Sequence, residues 1–420
     1  MASNILAEEH SAELIKRVQS NSLDFSHQEI EDPMQVAQRL SAEFELTAIE
    51  RDQIGGTPKE QRDQIRESGL LSLIIPKQYG GLGANWQLTM QIVREFAKSD
   101  SSIAHVFAFQ HLMLATVRLF SKNEQWEPWF EQTARQNWFW GNALNPTDDR
   151  TVSRSFSHWS EFSGKKSFCS GALDSEMLIA SALEHNPNGD GKSKLIIAAL
   201  PTGRTGINVI QDWDNMGQRQ TDSGSVNFER VRVEQHEILA DPGPLSTPYS
   251  CLRPLVAQLI LTNIYLGIAE GAFREARHYT LNEARAWNGS NFHKPEDDPY
   301  IIGHYGEFWA SLESARAITE VAATFLDAAW LKEDKLTEDA RGEVAIKIAA
   351  AKILTTRIGL DITSRMFEVT GSRSTHAGLC MDRYWRNIRT HTLHDPIDYK
   401  LKELGDWVLK EKYPTPTFYS

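Results

Sequence analysis

The period of the apolar residues changes twice along this chain of 420 residues, and that change limits the folds open to it. Up to about residue 138 apolar side chains recur at three and four, as in Met34–Ile49 (MQVAQRLSAEFELTAI), Glu60–Leu71 and Trp86–Phe96. Such spacing gives a helix one face to bury. Pro76, Gly80, Gly81 and Gly83 interrupt the pattern, and Asp100, Ser101 and Ser102 offer caps for a further helix. From 139 to 245 the period falls to two or to short apolar blocks. Ser167–Cys169, Met177–Ala182, Lys194–Ala199, Ile207–Ile210, Ser225–Phe228 and Arg232–Val233 are predicted strands, with Asn186–Gly191 and Thr202–Gly206 as turns. After Pro248 long helical periods return at Ala257–Ala284, Tyr305–Trp330 and Ala340–Val369, lengths that suit a bundle. The pattern predicts an α+β chain in three parts: a helical domain over 1–138, a compact β domain over 139–245 and a helical bundle over 246–420.

A formal charge of −12 argues against a general nucleic-acid binder, whose footprint is basic. The three cysteines, Cys169, Cys251 and Cys380, make neither a disulfide framework nor a metal cluster, and they suit a reducing compartment. The opening MASNILAEEHSAEL has no basic n-region and no apolar h-region, so a cytoplasmic location is expected. Apolar runs such as Leu255–Leu261 read as too short for a membrane span. Neither GxGxxG after a strand, nor GxxxxGKS/T, nor HExxH occurs.

Against this acidic background, Gly371–Asp395 (GSRSTHAGLCMDRYWRNIRTHTLHD) gathers four arginines and three histidines. Arg383, Arg386 and Arg389 share a helical face, which calls either for phosphate oxygens or for neighbouring acids. His391 and His394 lack the further ligands that a zinc site needs, and no metal is expected. His394, in LHDP before Pro396, suits proton transfer or a helix cap; on a helix the adjoining Asp395 would not face it. His105 sits in the mostly apolar SSIAHVFAFQH, where a core histidine is the plainer reading. Ser170, in Phe168–Gly171 (FCSG), either donates to a bound ring or satisfies a turn, and no GxSxG elbow surrounds it. Trp138, Trp140 and Trp213, with Asn142 and Asn145, can fill a core or sandwich a flat ligand. Arg285, near a helix end, can meet a phosphate or a carboxylate equally well.

Pro76–Gly83 (PKQYGGLG), Trp138–Asn142 (WFWGN), FCSG, Met216–Gly224 (MGQRQTDSG), Asn263–Glu270 (NIYLGIAE), Tyr305–Phe308 (YGEF) and Trp385–Pro396 (WRNIRTHTLHDP) together resemble the acyl-CoA dehydrogenase fold over nearly the whole chain. Within that fold the chain is similar to the two-component flavin monooxygenases that oxidise aromatic thiophenes such as dibenzothiophene. The resemblance implies that a separate NADH-dependent reductase supplies reduced FMN, which binds between the β domain and the bundle. Oxygen would add at the flavin C4a as a hydroperoxide and pass to the substrate sulfur, giving sulfoxide and then sulfone. It implies catalytic roles for His105, Ser170 and His394, with His394 managing protons and Ser170 near flavin N5. Flavin contacts fall on Asn142, Phe168, Ser170, Trp213, Arg285, Arg373 and His394, with the two arginines on the phosphate, a subunit boundary being allowed there. Phe109, Thr147 and His391 fall in the substrate pocket. Phe109 stands where the family has a tyrosine and Thr147 where it has an asparagine, which leaves the substrate open. Indole, a phenol or an alkyl sulfone are the alternatives, as is an FAD-dependent acyl-CoA dehydrogenase, although no counterpart of that enzyme's catalytic carboxylate is found. A homotetramer is expected, Asp395–Ser420 is a candidate packing segment, and 287–300 is a candidate lid.

Overall fold

The computed structural model describes residues 31–185 and 193–420; the opening MASNILAEEHSAEL and the Asn186–Gly191 turn lie outside them. Among the described residues five helices come first: α1 (Pro33–Ile54), α2 (Lys59–Glu67), α3 (Trp86–Ser99), α4 (Ser101–Phe120) and α5 (Asn123–Gln136). Asp100 separates α3 from α4 and caps α4, accepting from Ser102 N at 2.9 Å and Ile103 N at 3.2 Å. Every residue of α4 except Arg118 is buried, so this helix is apolar all round because it has no solvent face.

Seven strands follow: β1 (Trp140–Ala143), β2 (Val152–Ser155), β3 (Trp159–Lys166), β4 (Met177–His185), β5 (Ser193–Pro201), β6 (Ile207–Ile210) and β7 (Ser225–Glu234). They form one sheet in the order β1-β4-β2-β3-β7-β6, with β5 also on β4. β1 runs parallel to β4, Asn142 opposite Ile179. Two predicted strands, Ser225–Phe228 and Arg232–Val233, are the single strand β7. Ser167–Cys169 is not a strand but a turn, in which Phe168 takes φ 60°. β1 to β3 escaped prediction: β1 is buried at all four positions and shows no alternation, while β2 and β3 are mostly polar.

The bundle consists of α6 (Leu252–Asn282), α7 (Pro299–Trp330) and α8 (Glu338–Thr370), followed by α9 (Asp382–His391) and α10 (Ile397–Lys410). α6 crosses α3 so closely that a Cβ at Gly267 would meet Arg94 O at 2.5 Å, and one at Gly271 would meet Lys98 O at 2.2 Å. α4 and α6 are long and apolar enough to cross a membrane by composition, but both are buried in the interior, which explains their hydropathy. One apolar core joins the first helices, one face of the sheet and the bundle; a second, around Phe162, Val226 and Phe228, lies on the sheet's other side.

Candidate active site

Where the three parts meet, a cavity of about 690 Å³ is lined by α4, the turns after β1 and β3, the β6–β7 connection, the start of α6 and the end of α9. His105 lines it. Its Nε2 lies 2.8 Å from Ser170 Oγ and its Nδ1 lies 3.1 Å from His391 Nε2. Ser170 Oγ continues to Ser223 Oγ at 2.8 Å, and Ser223 Oγ to Thr221 Oγ1 at 2.7 Å. Burial pushes the His105 imidazole down to about 3, with the neighbouring His394 adding to the shift. Burial, then His105 and His394, push His391 well below its ordinary value. Both rings are therefore neutral at pH 7, each with one donor and one acceptor nitrogen. The line from His391 to Thr221 can run in either direction, and reversing it moves a proton without creating a buried ion. His391 Nδ1, at one end, is buried without a protein partner.

The expectation that His105 is a core histidine is thus corrected: it is buried, but it faces the cavity and a polar chain. Phe109, one turn along α4, lies over its ring with centroids 3.9 Å apart. His391 is held from behind by its own carbonyl, which accepts from Tyr265 Oη at 2.9 Å.

His394 is built differently. α9 ends at His391, so His394 and Asp395 occupy a turn rather than a helix, and the expected separation of the two side chains does not hold. His394 Nδ1 is 2.9 Å from Asp395 Oδ1, which leaves Nε2 free to serve the cavity. Asp395 also binds Lys352 Nζ through both oxygens at 2.6 Å. Burial opposes the Asp395 charge, but hydrogen bonding from His394 and the Lys352 ammonium outweigh it and hold the carboxyl well below the usual carboxylate range. Burial lowers Lys352 to about 8 despite that partner.

Two aromatic rings also line the cavity. Phe168 is 59% exposed and meets Trp213 edge-on, with centroids 6.0 Å apart. Its left-handed backbone is strained for a bulky side chain and is held by the bonds Cys169 N to Gly224 O (2.9 Å) and Asn142 N to Ser170 O (2.9 Å). Thr147 lies at the rim, its hydroxyl donating to Asn145 Oδ1 at 3.0 Å. An isoalloxazine ring suits these walls: Phe168 and Trp213 offer apolar surface, Asn142 and Ser170 offer polar contacts, and Gln218 Oε1 is a buried acceptor with no protein partner.

Other candidates lie away from this cavity within one protomer. Trp138 and Trp140 pack in the helical core, with Trp140 Nε1 donating to Thr133 Oγ1 at 2.9 Å. Arg386 pairs with Asp52 (2.6 Å) and Asp382 (2.7 Å), and the buried Arg383 donates to Cys380 O and Tyr384 Oη, so these two arginines of the basic face are partnered by the protein itself. Arg285 and Arg373 are exposed together beyond the far end of α6, with Arg373 donating to Glu283 O at 2.6 Å. The cavity touches α6 at Arg253, Ala257 and Gln258. From there to the helix end is about 36 Å at 1.5 Å per residue, beyond the reach of a flavin bound in the same protomer.

Sequence reading missed Arg253, Gln218, Thr221, Ser223, Phe418 and Tyr419 in the lining, and Lys352 behind it. Three of these lie inside MGQRQTDSG, a motif quoted for its resemblance only. The others carry no local signal.

Comparison with known proteins identifies the family. The chain matches the acyl-CoA dehydrogenase N-terminal domain over residues 27–137 and the C-terminal domain over 259–399. It is 62% identical over 385 residues to the probable FMNH2-dependent monooxygenase SfnC of Pseudomonas putida, covering 92% of this chain and 96% of that protein. It is 40% identical to the dibenzothiophene monooxygenase of Mycolicibacterium goodii, covering 93% and 96%. Among solved structures, methanesulfinate monooxygenase MsuC from Pseudomonas fluorescens superposes with a TM-score of 0.91 at 64% identity, covering 93% of this chain and 100% of that one. FMN-bound TdsC from Paenibacillus sp. A11-2 gives 0.87 at 40% identity, covering 92% and 99%. Sequence and fold agree, and the chain belongs to the FMNH2-dependent monooxygenases of the acyl-CoA dehydrogenase fold.

Proposed function

We propose that this enzyme oxygenates the sulfur of a small organosulfur compound. Reduced FMN, which two-component monooxygenases of this kind receive from a separate flavin reductase, activates molecular oxygen, so that one atom enters the substrate and the other leaves as water. The chain's own groups supply the rest. Phe168, Trp213 and Asn142 orient the ring; Ser170 offers its hydroxyl to it; Phe109 and Leu112 keep the substrate side dry. His394, fixed by Asp395, holds or delivers a proton at Nε2. His105 and His391 pass protons along Ser170 and Ser223 while staying uncharged.

The observation that separates this reading from acyl-CoA oxidation is the absence of a suitable base among the described residues of the lining. Asp214 is the single carboxylate there, and it is 89% exposed and paired with Arg219. A carboxylate so placed cannot abstract an α-proton from a buried thioester. Sulfur as the target is supported by the relatives: MsuC, at 64% identity, is named for methanesulfinate, and the 40% relatives for dibenzothiophene. Oxidation of an aromatic thiophene is the second reading, favoured by the apolar wall of Phe109, Leu112 and Phe418.

The test supplies FMN, a flavin reductase and NADH, and follows product by mass spectrometry with methanesulfinate, dimethyl sulfone, benzothiophene, dibenzothiophene and indole. Incorporation of one 18O atom from 18O2 into a sulfur product is expected. Oxidation of indole alone would overturn the assignment to sulfur. Reduction of the protein's flavin by an acyl-CoA without NADH would overturn the monooxygenase mechanism.

A further inference from the structure

One wall of the cavity carries a cation that the protein leaves without a counter-charge. Arg253, in the first turn of α6, is 7% exposed and lines the cavity. Its Nε donates to the neutral Thr116 Oγ1 at 3.3 Å, and no carboxylate among the described residues lies within ion-pair distance of it. The titratable group facing it is the Tyr419 phenol.

Other buried arginines are treated differently. Arg62 is paired with Asp174 and Asp222, and Arg51 with Asp100. Arg341 and Arg383 have no carboxylate, but they donate to the carbonyls of Cys251, Pro414 and Cys380. Arg253 has none of these partners and faces open volume. A buried guanidinium without an anion is costly, and one that borders a ligand cavity is a place for the ligand to bring the charge. Burial lowers its pKa to about 10, still far above neutrality, so the group is a cation at pH 7.

Position supports the same reading. Arg253 precedes Gln258 by five residues on α6, about 7.5 Å along the axis. Gln258 Nε2 reaches Asp395 Oδ1 at 3.4 Å, and Asp395 holds His394. Tyr419 spans the gap, its ring 5.9 Å from that of His394. An anion on Arg253 therefore lies within a small molecule's length of the histidine that serves the flavin side.

We propose that Arg253 is the anchor of an anionic substrate, binding both oxygens of a short-chain alkanesulfinate and leaving the sulfur lone pair turned towards His394. The planar guanidinium matches two coplanar oxygens, which a neutral thiophene does not offer. This assignment rests on the monooxygenase reading. The sulfur lone pair forms the new S–O bond, sulfur is oxidised by two electrons, and reduced FMN supplies two electrons and two protons to the second oxygen atom: RSO2− + O2 + FMNH2 → RSO3− + FMN + H2O.

The experiment compares the wild type, Arg253→Met and Arg253→Lys. Calorimetry on the flavin-free protein measures binding of methanesulfinate, of methanesulfonate and of the neutral dimethyl sulfone; flavin fluorescence measures FMN binding. Arg253→Met is expected to weaken the two anions by about 30-fold or more, the loss of a charge-assisted hydrogen-bonded pair, with Arg253→Lys between it and the wild type. In the coupled assay, the kcat/KM ratio of methanesulfinate to thioanisole is expected to fall by a similar factor. Equal anion affinity in the wild type and Arg253→Met, or an unchanged ratio, would overturn the anchor. Should Arg253→Met fail to fold, anion binding by Arg253→Lys equal to the wild type's would overturn it as well. Failure of the wild type to oxidise any sulfur compound while binding FMN would instead overturn the monooxygenase reading, a result distinct from all of these.

Discussion

Two histidines three residues apart are given opposite tasks by their surroundings. His391 is buried against His105 and kept neutral; His394, three residues on and past the helix end, is held by a carboxylate. That carboxylate, Asp395, also neutralises the buried Lys352, so its two functions can be separated. Asp395→Asn is expected to cut turnover on the order of 100-fold by freeing the His394 ring. It should also cost about 3–5 kcal/mol of stability by stranding the Lys352 charge. Adding Lys352→Met should restore most of the melting temperature and none of the turnover. Recovery of both would show that Asp395 is structural only. The neutral histidines make a second prediction, in which the sign follows from their depressed pKa values. His105 and His111 are pushed down to about 3, and His391 well below its usual value, each mainly by burial. Between about pH 6.5 and pH 3 the unfolded chain binds more protons at these positions than the folded one. Their stabilisation is complete above about pH 6.5 and is lost as the pH falls, at about 1.4 kcal/mol per pH unit for each fully differing group. Urea denaturation at pH 7.5, 6 and 5 measures the slope. A flat profile would mean that the rings take up protons in the folded state.

The elements around the site are fixed by a few polar clamps between segments distant in sequence. Arg62 on α2 is the main one for the turn that carries Phe168 and Ser170. Its guanidinium donates to Gly171 O at 3.1 Å and faces Asp174 at 3.1 Å and Asp222 at 3.6 Å. Burial outweighs Arg62 and pushes the Asp222 carboxyl up to about 7. Arg62→Met is expected to destabilise the protein by about 3–5 kcal/mol, because the buried Asp222 loses its counter-charge, whereas Asp174 keeps Arg66 at 2.7 Å. It should also weaken FMN binding through the loosened turn. Chemical denaturation and flavin fluorescence read the two effects; a stability loss with unchanged FMN affinity would show that the turn holds without its clamp. Close packing matters equally here. α6 can reach α3 this closely only because Gly267 and Gly271 have no side chain.

At the scale of the molecule, the cavity lies at one end of α6 and Arg285 with Arg373 at the other. If these two hold a flavin phosphate, that flavin sits in another copy of the chain, and the enzyme works only as an oligomer. Mixing an Arg285→Ala protein with a His394→Phe protein, each inactive alone, should then restore about a quarter of the wild-type activity in randomly re-formed dimers. No recovery after verified subunit exchange would place the phosphate ligands within the protomer. Much of this protein is written in its sequence. The three-part order, the long bundle helices and the strands from β4 onward follow from apolar period, because a helix and a strand bury one face at different intervals. The motifs around Ser170 and His394 were legible because each is a contiguous run of residues. β1 to β3 were not legible, since a strand buried on both faces, or one rich in polar residues, carries no alternation. The pairing of His394 with Asp395 was misread because a helix was assumed to run on past His391. The line from His391 through His105 to Ser223 joins four segments, and the unpaired charge of Arg253 is visible only once every neighbour is known. Local periodicity is set by neighbours along the chain, whereas tautomer, counter-charge and cavity are set by neighbours in space, and those only the tertiary structure decides.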